Sequence, residues 1–281
     1  MRKSWITLGA LLACVVALGV FAWLKPPGTQ GVAQPVTALK SADARSVRVL
    51  RQGRPLAQLE KRNAEWFLVA PLKAPADEFQ VLRLLAILDA KSALQYLPSD
   101  LAKFELDAPQ TEIIINDQRF AFGAVNNVTR EQYVLTQNRV YPLEPRFAAA
   151  VPNNASALLR RSVLAPGDAP LRFDFGTFTV AFDEKKWSTT PLAGDVSQDD
   201  YHHWLAQWRE GSALRAEVAD KRKALSEIHI TLKHGNTVSL AVVQTEPELV
   251  VRRADLGLQF AFAGDIGKAM LLPPQERKLL K

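Results

Sequence analysis

The side chains that could carry chemistry in this 281-residue chain are few and poorly grouped. Asp199 and Asp200 are adjacent carboxylates, the raw material of general acid–base work. They follow Ser197, however, and acids in the first turn of a helix complement its dipole, which accounts for both. Asp183 and Glu184 precede Lys185, Lys186 and Trp187, the pattern of a charged turn. His202 and His203 are neighbours on the helix expected after Ser197 and so point about 100° apart, a poor pair for one metal ion. His229 and His234 read as strand and surface histidines. Cys14 is the only cysteine, which excludes an intramolecular disulfide and a cysteine-built zinc site. There is no G-x-S-x-G elbow, Walker loop, G-x-G-x-x-G or H-E-x-x-H motif. No catalytic, cofactor-binding or metal-ligating residue is therefore assigned, and no catalysis is expected.

The segment Gly123–Tyr133 (GAVNNVTREQY) is a better candidate for recognition. It joins two expected strands and is rich in hydrogen-bonding side chains, and polar loops on a rigid scaffold are favoured binding places. Gly123, Asn126, Asn127, Arg130 and Tyr133 form the candidate recognition loop, for a peptide or a glycan. The alternative is a long hairpin whose asparagines serve turn geometry. Tyr201, Trp204 and Trp208 follow helical spacing and read as core.

The elements that would position these residues begin with an apolar segment. Arg2 and Lys3 open the chain, and no further charge occurs until Lys25. The 21 residues Ser4–Leu24 would rise roughly 30 Å as a helix, the thickness of a bilayer's hydrocarbon core. Trp5 and Trp23 stand at its ends, and Pro26-Pro27 would stop it. The expectation is a retained transmembrane anchor over residues 1–25, with the basic start in the cytoplasm and the remainder in a bacterial periplasm. A cleaved signal peptide is a second reading. A lipoprotein signal ending at Cys14 is a third, weakened by the uncharged run that continues to Leu24.

Residues 26–45 read as a linker. Beyond it the sequence repeats itself. Trp66 and Pro71 return as Trp187 and Pro191, and Ser92-Ala93-Leu94-Gln95 returns as Ser212-Ala213-Leu214-Arg215. Each copy opens with a strand meander and continues with a helix, capped by Asp77 in one and Ser197 in the other. Four further strands follow: Glu112–Ile115, Arg119–Phe122, Gln132–Thr136 and Arg139–Leu143 in the first copy. Their counterparts are Ile228–Lys233, Thr237–Val243, Leu249–Arg253 and Leu258–Phe262. Short apolar helices, Phe147–Val151 and Ile266–Leu271, end the copies. The expected fold class is α+β: a transmembrane helix, then two tandem repeats over residues 46–155 and 165–281, each of antiparallel strands with one main helix.

Net charge is +6, but Arg2, Lys3 and Lys25 belong to the apolar segment, leaving 32 basic and 29 acidic residues. With no basic tract interleaved with aromatics, nucleic-acid binding is not expected. A hydrophobic content of 48% excludes a disordered tail.

Trp66–Pro71 (WFLVAP), Pro75-Ala76-Asp77, Phe122-Gly123, Asn126-Asn127, Arg130, Tyr133-Val134 and Val140-Tyr141 resemble the domain of unknown function 4340 family, whose members are membrane-anchored bacterial envelope proteins. The resemblance runs over roughly Ser46 to Phe147 and is weaker in the second copy. It implies no catalytic residues. Some relatives look linked to gliding-type ABC transporter auxiliary subunits, which implies an envelope protein partner, an ABC transporter among the choices. The resulting expectation is a periplasmic interaction or scaffold protein held on the inner membrane through residues 4–24, with no cofactor. The alternatives are binding of a glycan, lipid or peptide between the repeats, and an envelope hydrolase, which no motif supports.

Overall fold

A computed structural model describes residues 32–191 and 196–274. A short strand, β1 (Gln34–Pro35), leads into a meander of β2 (Ser46–Arg51), β3 (Arg54–Arg62), β4 (Glu65–Ala70) and β5 (Ala74–Pro75). Buried residues alternate along it, as a half-covered sheet requires: Val47 and Val49, Ala57 and Leu59, Trp66 and Leu68. Helix α1 (Glu78–Leu85) starts at Asp77, whose carboxylate accepts a hydrogen bond from the Gln80 amide at 3.2 Å. It buries Val81, Leu84 and Leu85 and tightens into a 3-10 turn over Ala86–Asp89. Then come β6 (Lys91–Ser92), β7 (Thr111–Ile115), β8 (Gln118–Val125), β9 (Gln132–Thr136), β10 (Arg139–Leu143) and the one-turn α2 (Arg146–Ala149). The first sheet runs β10-β9-β8-β7-β2-β3-β4-β5, every pairing antiparallel, while β1 pairs with β6 alone.

The second half repeats this path. Its strands are β11 (Pro170–Asp174), β12 (Thr179–Asp183) and β13 (Lys186–Thr190), then helix α3 (Gln198–Arg209). β14 (Arg215–Val218), β15 (Ser226–Leu232), β16 (Thr237–Gln244), β17 (Leu249–Arg253), β18 (Leu258–Phe262) and helix α4 (Gly264–Leu271) complete it. The order is β13-β12-β11-β15-β16-β17-β18-β14. Seven strands thus follow one order in both sheets, and the eighth differs: β5 extends one end of the first sheet, β14 the opposite end of the second. Ser197 caps α3 in a reciprocal capping box with Asp200. Gln198 brackets the outer edge of β13, accepting from the Trp187 amide and donating to its carbonyl, both at 2.9 Å. In the first half a backbone amide, that of Ala76, binds the equivalent carbonyl of Trp66 at 2.9 Å.

The expected α+β class is corrected by these sheets. The chain is mainly β: two eight-stranded antiparallel sheets, with α1 of 8 residues and α3 of 12 covering part of one face of each. The physical reason is continuity. All seven shared strands of a half pair into one sheet, so the short helices cover only part of it. The expected transmembrane helix over residues 4–24 lies outside the described residues. Among the described residues, no helix is long and apolar enough to cross a membrane.

One hydrophobic core spans both halves, including Leu59, Phe120, Phe173, Trp204, Trp208 and Phe260. The connector between the sheets is strapped to each. Asp77 donates its amide to the Leu158 carbonyl at 2.8 Å, and Arg160 its amide to that of Pro75 at 3.0 Å. On the other side the Ala213 amide meets the Arg161 carbonyl at 2.8 Å, and Arg253 Nη1 donates to Val163 at 2.6 Å. These bonds tie the connector's backbone to both sheets.

Candidate functional site

The expected recognition loop closes the β8–β9 hairpin, and most of its polarity is spent on holding itself. Asn126 Oδ1 accepts from the amides of Val128 and Thr129 at 2.8 and 3.2 Å. Its Nδ2 donates to the Tyr133 hydroxyl at 2.8 Å. The Arg130 amide donates to the Asn126 carbonyl at 2.8 Å. Asn126 is therefore a turn residue, the hairpin reading of the sequence. Gly123 lies in β8, its carbonyl bonded by Gln132 Nε2 at 2.9 Å. A Cβ there would collide with the Phe104 carbonyl and the Leu106 side chain, so close backbone approach explains the glycine. Asn127 and the Arg130 side chain stay exposed at the tip.

Tyr133 carries the loop's contact with the rest of the molecule. Its ring meets Phe104 edge-on at 4.7 Å between centroids and Tyr96 at 6.3 Å, while Tyr96 stacks on Phe104 at 5.9 Å. Phe104 and Tyr133 pack on a small satellite core of Leu106, Ala121 and Val140, separate from the main one. Tyr96 reaches this place by a backbone bridge to Val140 beside β10. Sequence reasoning placed Tyr133 but missed Tyr96 and Phe104, which come from a non-strand segment whose path only the fold fixes. The one available signal was the Ser92–Gln95 repeat, which puts Tyr96 in register with Ala216 of β14.

Two clefts flank the connector where the halves meet. The larger, about 490 Å³, is lined by Gln80, Ser156, Arg161, Leu214, Arg215 and Glu217 among others. One wall is β14, the terminal strand of its sheet. Arg215 is held by Glu248, with contacts of 3.0 and 2.7 Å, and lies 3.7 Å from Glu217. The hydrogen bond from Arg215 keeps the Glu248 carboxyl below the usual carboxylate range, and the same bond raises Arg215. Arg161 stands 3.8 Å from the capping carboxylate of Asp77. The cleft is thus polar, with charges already paired, and Leu214 projects over half exposed. The smaller cleft, about 230 Å³, is mainly apolar: Phe67, Pro75, Leu164, Leu258 and Phe260 line it together with Ser162 and Arg253, and Arg160 lies 3.2 Å from Glu65.

The histidines and carboxylates fall elsewhere. His229 Nδ1 meets Ser239 Oγ at 3.1 Å, and its Nε2 lies 3.6 Å from Glu227, a triad-like set of residue types. His229 and Ser239 are direct cross-strand partners of β15 and β16, and the imidazole is about half exposed on an open sheet face. Cross-strand pairing explains the contact. Asp200 belongs to the α3 cap, and His202 and His203 are exposed on that helix. Tyr201, Trp204 and Trp208 are buried, with Trp204 Nε1 donating to the Leu272 carbonyl at 2.9 Å. Among the described residues no three His, Cys, Asp or Glu side chains converge.

A family described as a domain of unknown function (DUF4340) matches residues 66–228. That span starts in β4 and ends in β15, so it crosses both halves, their connector and the whole lining of the larger cleft, but leaves out Arg253, Leu256, Leu258 and Phe260 of the smaller one; the sequence likeness had reached only about Phe147. No curated protein and no solved structure matches the chain.

Proposed function

The chain belongs to the domain of unknown function family DUF4340, and from that premise we propose that it is an envelope interaction protein that holds an extended segment of a partner in the cleft beside β14. The observation carrying this reading is the cleft itself: about 490 Å³, bounded by a terminal strand and by the connector that fuses the halves. A terminal strand offers backbone groups for pairing with an added strand, and side chains along it supply selectivity. Gln80, Ser156 and the paired Arg215 present donors and acceptors suited to a peptide main chain, and Leu214 offers an apolar contact. In this reading residues 4–24 hold the protein on a bacterial inner membrane, with the folded part in the periplasm. The partner is then a membrane complex, of which an ABC-type transporter is one kind.

Purification of the tagged full chain from detergent-solubilised membranes tests the reading. The native chain brings down a stoichiometric partner, and Leu214→Glu, which adds a third carboxylate to Glu217 and Glu248, releases it without loss of the folded protein. Equal recovery with both chains removes the cleft from the interaction.

The smaller cleft favours a second reading, a ligand with a short apolar body and an anionic end. Its walls are mainly apolar, and two guanidinium groups, Arg253 and the 16% exposed Arg160, stand among them. Thermal stabilisation by medium-chain fatty acids that disappears in Arg160→Gln supports it; no stabilisation by any of them rejects it.

A further inference from the structure

Four exposed apolar residues of the first half lie along one path, apart from Phe79 and Leu82 on α1. Val32 is 82% exposed, Leu94 52%, Leu97 63% and Val128 90%. β1 pairs antiparallel with β6, Gln34 opposite Ser92, and continuing that register brings Val32 level with Leu94. From there the path is continuous. Tyr96 bridges to Val140, its ring contacts Tyr133, and the Tyr133 hydroxyl holds Asn126, two residues from Val128. The described chain therefore begins at the same patch, and only seven residues lie between Leu24 and Val32. Fully extended, that link spans at most roughly 30 Å, so a membrane holding residues 4–24 cannot lie far from the patch.

We propose that this patch is a membrane seat: Val32, Leu94, Leu97 and Val128 enter the headgroup region of the same bilayer that holds residues 4–24, with the Tyr96 and Tyr133 rings at the polar boundary. The chemistry fits the interface. Aliphatic tips gain by leaving water, and tyrosine is a preferred residue where one end must be apolar and the other wet. The exposed Lys91 and Arg130 lie on the same rim and suit anionic headgroups. The exposed apolar residues of the second half, Leu214, Val218 and Leu225 among them, lie on and around β14 and not at the end of the described chain that leads to residues 4–24. The seat orients the protein on the membrane instead of leaving it free to turn on a tether. It rests on the membrane attachment of residues 4–24 proposed above.

The test uses the full chain with Cys14→Ser, reconstituted in vesicles of phosphatidylcholine and phosphatidylglycerol. One sample carries Val128→Cys and a second Leu225→Cys, each labelled with a small fluorophore. A doxyl-labelled lipid should quench the label at position 128 at least about threefold more than that at 225, as interfacial insertion requires. If the protein floats with the vesicles but both labels are equally free of lipid quenching, the seat is wrong and the attachment stands. If the label at 128 is shielded from aqueous iodide yet untouched by the lipid quencher, protein covers the patch and the seat is again wrong. If the protein does not float, the attachment fails and the seat falls with it.

Discussion

At the scale of single residues, polarity in this chain serves order. The Tyr201 hydroxyl and Thr189 Oγ1 share a buried hydrogen bond of 3.0 Å. Tyr201→Phe leaves the threonine oxygen unpaired and should lower stability by about 1–2 kcal/mol in denaturant melts, against no change if that oxygen finds water. Ser197→Ala removes both the side-chain bond to the Asp200 amide and the capping box, a loss of about 1 kcal/mol by the same measurement. Asp255 sets an acid limit. The hydrogen bond from Arg253 holds its carboxyl below the ordinary value, so its contribution is present above the unfolded carboxylate's range and is lost as pH falls through the folded value. Stability should therefore decline below about pH 4, and Asp255→Asn should flatten that decline. Such local roles were legible in advance: Asp77 and Ser197 were recognisable caps because the cap and its partner lie three residues apart. The Asn126 turn was legible only as an alternative, since nothing local tells a turn asparagine from a ligand-binding one.

At the scale of elements, alternation of apolar residues located the strands well. The expected windows Gln132–Thr136, Arg139–Leu143, Leu249–Arg253 and Leu258–Phe262 coincide with β9, β10, β17 and β18. What alternation does not carry is how many strands join one sheet. Pairing is a long-range property, as with β2 and β7, whose partners Val47 and Ile115 lie far apart in sequence. For that reason the helices were given more architectural weight than they hold. The satellite aromatic cluster was hidden for the same reason, because Phe104 and Tyr133 meet only after β8 and β9 are in place. The tight fit beneath it is testable. Gly123→Val forces a branched side chain against the Phe104 carbonyl and Leu106, and should destabilise by about 1–3 kcal/mol while shifting the near-ultraviolet signal of the Tyr96–Phe104–Tyr133 group. Gln198→Ala strips the β13 edge of two hydrogen bonds. Hydrogen exchange should then speed up at the Trp187 amide, while the Ala76 amide, which covers the equivalent Trp66 carbonyl, stays unchanged.

At the scale of the whole molecule, two sheets of shared strand order are fused by a connector bonded to both and by one core that includes Phe120 from the first half and Phe260 from the second. Unfolding should be a single transition in calorimetry, because neither half can expose its share of that core independently; two resolved transitions would show separate modules. The sequence repeat made the doubled path legible, but not the clefts, which arise only where the second sheet docks on the connector. The account's central claim is that the cleft beside β14 takes a partner's extended segment. Site-specific photo-crosslinking of the full chain in native membranes tests it most directly, with the photoreactive residue placed at Leu214 or, for comparison, at the somewhat more exposed Leu225. The account predicts one discrete adduct from position 214, absent from 225 and competed away by a synthetic peptide copying the crosslinked segment. Adducts from both positions alike, or none from 214 in membranes where the protein is present, would contradict it.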